Sequence, residues 1–526
     1  MFMNKFFTDD IICAPATVPG TGAISIVRVS GKGCIELTDR TISLKKGKLS
    51  EALGYTLHYG TIYYTPEDGK PASSGGVDYA DVLPAAGLNA MRVDCREKED
   101  GRPTEVLDEV IVSVFRAPHS YTGEDSLEIS CHASKYIVSE LLRLLVENGC
   151  RLARPGEFTQ RAFLNGKMDL AQAEAVADVI ASSSEASHRV AMSQMKGGFS
   201  QELARMRSEL LELVTMMELE LDFSEEDVEF ADRSRLTVLV DKTSGHIRQL
   251  MDSFRLGNAI RNGVPTVIVG ATNAGKSTLL NALLGEERAI VSDIDGTTRD
   301  TIEETLNIDG ILFRFIDTAG LRESTDEIER IGIERSYRKL SEASVVIAML
   351  DATKPDALLS EEFSALLPLI DFRKQKLFVV LNKIDEISED ELDNKNVLMQ
   401  NIFISYTDGS DFDAETEEDT RLSLFPLSAK TGEGLSDLKE ALADSQKGWK
   451  EASTEQTLVT NLRHYQALAA AKEALTRVRL GLTDSVPTDL LVQDLREAID
   501  ALGEIVGVIS SQEVLNTVFS RFCIGK

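Results

Sequence analysis

With 526 residues, 86 acidic against 56 basic side chains and a formal net charge of −30, the chain has room for about three domains and turns a repulsive average field towards nucleic acid. Any RNA contact must then use a local basic patch or a partner protein. No run of 18 apolar residues and no basic-then-apolar leader occurs, which predicts neither a membrane span nor a secretory signal; six cysteines without a CxxC pair fit a reducing, cytoplasmic location.

Residues 1–135 mix short β-like runs, such as Ala23 to Val29 and Glu105 to Phe115, with Gly, Pro and acidic turns, the pattern of an α+β domain. Within them, 60–105 reads as an inserted acidic loop or hairpin. Over 136–262 helical periodicity dominates: Leu203, Met206, Leu210, Leu213, Met217 and Leu221 recur at steps of three or four, the stripe of a bundle core. An α/β segment occupies 263–445, and 446–526 returns to helix with a stripe through Leu490, Leu495, Ile499 and Leu502. The simplest architecture joins this last segment to the earlier helices and makes 263–445 an insertion, tolerable because domain termini often lie close together.

Inside the insertion, Gly270-Ala-Thr-Asn-Ala-Gly-Lys-Ser-Thr278 follows an apolar strand, Thr266 to Val269, and opens a helix-like run, Leu279 to Leu284. This is the context of a phosphate-binding loop. Gly270 and Gly275 permit dihedrals closed to other residues, so successive N–H groups from Asn273 and Ala274 to Thr278 can face phosphate oxygens at a helix N-terminus. Lys276 would reach the β and γ phosphates and Ser277 the Mg²⁺ ion. Gly296-Thr297-Thr298-Arg299-Asp300 offers the Thr298 hydroxyl to Mg²⁺; Asp317-Thr318-Ala319-Gly320, after the strand Leu312 to Ile316, adds a carboxylate behind the metal and a glycine N–H for the γ-phosphate.

Asn382-Lys383-Ile384-Asp385 follows the apolar run Leu377 to Leu381, at the carboxyl end of a strand, where open α/β sheets bind ligands. Asp385 can accept the N1–H and exocyclic amine of guanine, a donor pair adenine lacks; the Asn382 amide can serve N7 and the Lys383 stem can lie along the purine face. Ser428-Ala429-Lys430, after Leu422 to Phe425, completes the ring's contacts. The order points to GTP rather than ATP. Leu321 follows Gly320 where Ras-type proteins place a glutamine that orients the attacking water, so the catalytic group must be sought elsewhere. The run Asp408 to Asp419 is too acidic to pack and reads as a solvated loop.

Taken with Gly22-Ala-Ile-Ser-Ile-Val-Arg-Val-Ser-Gly31, Tyr121-Thr-Gly-Glu-Asp125, Ala153-Arg-Pro-Gly-Glu-Phe158, Arg161-Ala-Phe-Leu-Asn165, Asp169-Leu-Ala-Gln-Ala-Glu174 and the terminal Phe522-Cys-Ile-Gly-Lys526, these motifs resemble the bacterial tRNA modification GTPase MnmE (TrmE) family over nearly the whole chain. The resemblance implies a multidomain fold: an α+β N-terminal folate-binding and dimerisation domain, an all-α helical domain in two segments, and an inserted α/β P-loop GTPase (G) domain. It implies a 5-formyltetrahydrofolate, or a related one-carbon folate, held by Arg28, Glu128, Lys167 and Lys526. Without the family each of these is an ordinary surface charge, although a pterin edge suits Glu128 and a glutamate tail suits Arg and Lys. Cys523 falls on a motif position that fits either a chemically active thiol or a small buried one.

In place of the missing glutamine the resemblance implies a potassium ion, bound when two G domains meet, which would offset charge developing on the β–γ oxygens. Asn273, Ser292, Ile294 through its carbonyl, and Thr297 match its ligand positions, in a loop that also holds Asp293, Asp295 and Gly296. Glu329 matches the acid that orients the hydrolytic water; on residue pattern alone it would be a helix-surface carboxylate. The chain departs from the family at Ser130-Cys131-His132-Ala133-Ser134, where Gly-His-Gly-Gly is usual, which leaves the local backbone open and makes His132 a structural polar residue. The activity implied is that of a homodimeric, potassium-dependent GTPase that, with the flavoprotein MnmG (GidA) in a heterotetramer-like complex, adds a carboxymethylaminomethyl or aminomethyl group to carbon 5 of the wobble uridine of certain tRNAs. The alternative is a regulatory GTPase switch of the ribosome-assembly type, which would need neither the Arg28 and Glu128 pair nor the terminal Cys523 to Lys526.

Overall fold

The computed structural model describes residues 10–64, 105–222, 233–286, 304–316, 340–408, 422–446, 457–484, 486–508, 512–520, 522 and 525. The chain forms two compact units, one of residues 1–177 with 506–526 and one of residues 178–505. No helix among the described residues is long and apolar enough to cross a membrane.

In the first unit, β1 (Ile11–Pro15), β2 (Gly22–Ser30), β3 (Ile42–Leu44), β4 (Thr56–Tyr64), β5 (Glu105–Phe115), β6 (Ser126–Ala133) and β7 (Cys150–Leu152) form one sheet in the order β3-β4-β5-β6-β2-β1-β7. It is antiparallel except where β7 joins β1. The two-residue period of the strands turns Val27, Val29, Val112, Leu127 and Ile129 to one face, where α1 (Cys34–Thr38) and α2 (Lys135–Glu147) bury them with Ile35, Leu141 and Leu145. Arg28 and Glu128 fall between these apolar positions and stand opposite each other across β2 and β6.

The border expected at 135 is not where this unit ends. β7 extends the sheet, and α3 (Glu157–Leu164) and the first turns of α4 (Leu170–Ala181) stay with it. The C-terminal helix Gln512–Phe519 returns here as well: Leu515, Val518, Phe519 and the following Phe522 pack on Phe163, Leu170 and Ala173. Residues 60–64, expected within the insertion, complete β4, and 65–104 lie outside the described residues. The glycine-poor stretch 130–134 continues as extended strand into the cap of α2. There Asp108 accepts from the His132 backbone N–H at 2.8 Å and sits 2.7 Å from its Nδ1, which gives His132 a structural partner.

In the second unit, α5 (Glu185–Met195), α6 (Gly198–Asp222), α7 (Arg233–Asp252) and α8 (Phe254–Asn262) precede the inserted segment. Leu203, Met206, Leu210, Leu213 and Met217 are all buried on α6, as the stripe predicts; the side chain of Leu221 lies outside the described residues. The insertion contributes β8 (Val264–Val269), α9 (Lys276–Glu286), β9 (Glu304–Ile308), β10 (Ile311–Phe315), β11 (Val345–Asp351), α10 (Asp356–Leu366), β12 (Lys376–Asn382), α11 (Glu389–Asp408), β13 (Ser423–Leu427) and α12 (Leu435–Asp444). Its sheet runs β13-β12-β11-β8-β10-β9, parallel apart from the β9–β10 hairpin. Both faces are covered, Ile347, Met349 and Val380 on one side, Val346, Ala348 and Val379 on the other, which explains strands that are apolar without alternation. The chain then returns to α13 (Leu462–Thr483), packed on α7, and α14 (Thr488–Val506). On α14 Leu495, Ile499 and Leu502 are buried as expected, but Leu490 is exposed and Leu491 takes the inward place.

Candidate functional site

Four parallel strands, β8, β11, β12 and β13, bring their carboxyl ends to one edge of the second sheet, the place where open α/β sheets bind ligands. At the first of these ends β8 passes through the glycine loop into α9, whose first residue is Lys276. Gly275 has φ +100°, and a Cβ there would stand 2.3 Å from Asn382 Nδ2, so the loop needs glycine both for its turn and for a close approach. Lys276 donates to the carbonyls of Gly270 at 2.9 Å and Ala271 at 2.8 Å; burial, and then the Lys354 ammonium, hold its pKa below the ordinary lysine value. Asn273 is exposed at φ +62°, Ala274 is buried, and Ser277 and Thr278 lie in the first turn of α9.

Asn382 is 3% exposed, and its amide is engaged at both ends: Nδ2 donates to the Ala274 carbonyl at 2.8 Å, and Oδ1 accepts from the Ala429 N–H at 2.9 Å. It therefore ties the phosphate loop to the Ser428-Ala429-Lys430 turn, a duty its sequence position did not reveal. Beyond it Lys383 turns at φ +70° and Asp385 is exposed, as is Lys430, while Ser428 is buried and accepts from the Thr431 N–H at 3.2 Å.

Asp351, which sequence reading passed over, closes β11 beside them. Its Oδ2 is 2.5 Å from the Lys383 ammonium, and its Oδ1 accepts from the N–H and hydroxyl of Thr353 at 3.0 and 2.7 Å. Burial alone would raise this carboxyl, but the Lys383 and Thr353 hydrogen bonds outweigh it and hold it below the ordinary carboxylate range. The only signal in the sequence is a lone acid ending a seven-residue apolar strand. Ser292, Asp293, Ile294, Asp295, Gly296, Thr297, Thr298, Asp317, Thr318, Ala319, Gly320 and Glu329 lie outside the described residues.

A second constellation lies in the first unit. Arg28 donates to Glu128 Oε1 from Nη2 at 2.8 Å and Nε at 3.1 Å, and from Nη1 to the Gly525 carbonyl at 3.4 Å. Its guanidinium carbon sits 5.3 Å from the Tyr121 ring centre and 5.6 Å from that of Phe158, within cation–π range of two faces. Gly525 can reach this place only as glycine, because at φ +97° a Cβ would be 1.9 Å from the Pro15 carbonyl. Gly525 thus meets the early arginine, and Cys523, Ile524 and Lys526 lie outside the described residues. Lys167 is exposed and donates to the Pro118 carbonyl at 3.0 Å, at the base of the loop that carries Tyr121.

Behind this pair the other family-like motifs form an ionic framework. Arg161 binds Asp10 at 2.7 Å, Glu124 at 3.2 Å and Glu157 at 3.3 Å; Arg151 binds Asp10 at 2.7 Å and Glu157 at 2.6 Å; and Ser30 donates to Glu124 at 3.0 Å. A carboxylate beside a guanidinium, over aromatic rings, suits a planar ligand with both donor and acceptor edges and an anionic tail.

A glycine loop between a parallel strand and a helix, tied through Asn382 to the Ser428-Ala429-Lys430 turn at the carboxyl edge of the sheet, fits the class of P-loop GTP hydrolases. Comparison with known proteins is more particular. Residues 11–167 match the family described as GTP-binding protein TrmE N-terminus, and residues 170–523 match the MnmE helical domain. The tRNA modification GTPase MnmE of Bacteroides thetaiotaomicron is 48% identical over 519 residues, 98% of this chain and 99% of that protein; that of Porphyromonas gingivalis is 45% identical over 527 residues, 99% of each. Among solved structures, the Y63A variant of Aquifex aeolicus Era bound to GDP·AlF₄⁻ is 27% identical, covering 40% of this chain and 65% of its own at a TM-score of 0.24. The chain belongs to the tRNA modification GTPase MnmE family.

Proposed function

We propose that this chain is the cytoplasmic, homodimeric, potassium-dependent GTPase of a tRNA-modifying pair, acting with the flavoprotein MnmG (GidA) to add an aminomethyl-type group to carbon 5 of the wobble uridine. In this reading Asp385 reads the guanine edge, Lys276 holds the β and γ phosphates, Ser277 and Thr298 face Mg²⁺, and Glu329 orients the attacking water. Asn273 offers a side-chain oxygen to potassium, together with Ser292, Ile294 and Thr297. When bound, potassium offsets the negative charge that develops between the β and γ phosphates. Nucleotide-dependent pairing and separation of G domains is then relayed through the helices to a one-carbon pocket, a bistable device of the switch-loop kind.

Arg28 and Glu128 would hold the folate, with Lys167 and Lys526 meeting its carboxylates. What carries the reading is the meeting of Arg28, Glu128 and the Gly525 carbonyl in one aromatic-lined place, which a nucleotide switch has no use for. The test is a melting curve of the purified chain with 5-formyltetrahydrofolate. A ligand that binds only the folded state raises the midpoint by mass action. We expect such a rise, and its loss in Arg28→Ala, whose own ligand-free curve reports whether it folds. A wild-type curve indifferent to the folate would leave only the switch.

A further inference from the structure

The Asp351–Lys383 pair has no role in the reading above, and its geometry supplies one. Asp351 ends β11 in register with Asn382 at the end of β12, and the Ala352 N–H donates to the Asn382 carbonyl at 2.9 Å, so the two strand ends are one rigid edge. Immediately beyond, Lys383 adopts φ +70°, a left-handed conformation that a residue with a Cβ keeps only when something holds it. The turn brings the ammonium back to Asp351 Oδ2 at 2.5 Å, while Thr353 fixes the other carboxylate oxygen from its N–H and its hydroxyl. The Asp351 side chain is 8% exposed and the Lys383 side chain 30% exposed, so the anchor is buried and the anchored side chain is partly open.

We propose that Asp351 is a positioning residue for guanine nucleotides: it pins Lys383, before the nucleotide arrives, in the turn from which its methylene stem lies along the purine face. The proposal rests on the guanine assignment of Asn382-Lys383-Ile384-Asp385. Two effects of the carboxylate have opposite signs. As a negative charge beside a site for a polyanion it repels the nucleotide, and its removal would tighten binding; as an anchor it spares the nucleotide the ordering of a flexible lysine, and its removal would weaken binding. The ammonium at 2.5 Å neutralises the first effect and embodies the second, so weakening wins.

The experiment uses the full chain with Asp351→Asn, Lys383→Met and the double variant, and reads fluorescent GDP binding by stopped flow. Loss of one charge-assisted contact predicts a Kd for Asp351→Asn about tenfold higher, mostly through faster dissociation. The KM for GTP should rise in step while kcat falls less than about twofold. Because Asp351 acts through Lys383, the double variant should bind no worse than Lys383→Met alone. Asp351→Glu, which keeps the charge, should recover most of the affinity, and nucleotide-free melting curves monitor the fold. Wild-type or tighter GDP binding by Asp351→Asn, or additive losses in the double variant, would overturn the proposal. A wild-type chain that binds neither GDP nor GTP would overturn the guanine assignment and the proposal with it.

Discussion

Gly275 and Asn382 compete for the same space: the missing Cβ of one lies where the amide nitrogen of the other passes to reach Ala274. Gly275→Ala would force a side chain into φ +100° and push the amide off two backbone partners. Two buried hydrogen bonds at about 1–3 kcal/mol each predict a fall in GDP affinity of roughly a hundredfold. Equilibrium titration with labelled GDP measures it, and an affinity within threefold of wild type would mean that the two loops act independently. This case also shows what single residues reveal in sequence. The dihedral demand on Gly275 was legible from the motif, but its contact with a residue 107 positions on was not, because nothing local encodes it. Arg28 and Glu128 are similar: alone they are surface charges, and only the register of β2 with β6 makes them a pair.

Among the elements, the long ones announced themselves. β5 runs from Glu105 to Phe115 as expected, β2 and β12 differ from expectation by a residue or so at their ends, and the α6 stripe is buried at every described position. β7 did not, since three residues have too little period to read, and its parallel pairing with β1 is what moves the end of the first unit past 135. The framework joining β1, β7 and α3 has a pH signature. Burial pushes the Glu157 carboxyl up, but the Arg151 hydrogen bond, the Arg154 N–H and the Arg151 and Arg161 charges pull it further down, so its folded pKa lies below its unfolded one. Its stabilisation is therefore complete above the ordinary glutamate pKa of about 4.3 and fades as the pH falls through the lowered folded value. Glu157→Gln should melt several degrees below wild type at pH 7, at roughly 2–4 °C per kcal/mol, with the gap closing below about pH 4. A gap in the calorimetric midpoint that is the same at both pH values would show that charge at Glu157 is immaterial.

At the scale of the whole molecule, two facts meet: a net charge of −30 on a member of a tRNA modification family, and a GTPase with leucine where Ras-type proteins place the water-orienting glutamine. Under the proposed function, the first assigns most of the basic surface for tRNA to the partner, and the second calls for catalytic charge and water orientation from groups other than position 321. If a monovalent cation shared by two G domains supplies it, stabilisation appears in the transition state and hardly at all in the bound ground state. Exchanging Na⁺ for K⁺ at constant ionic strength should then raise kcat at least about tenfold, the scale of an added electrostatic contact, while the Kd for GDP stays within twofold. Because pairing is needed, the rate per chain in K⁺ should also climb with protein concentration when dilution separates the partners, and in Na⁺ it should not. Glu329→Ala should remain slow in both salts with nucleotide affinity intact. Steady-state turnover in the two salts across a dilution series decides the matter: equal rates in Na⁺ and K⁺ would remove the cation from the mechanism and return the question of the catalytic charge to residues of the chain itself.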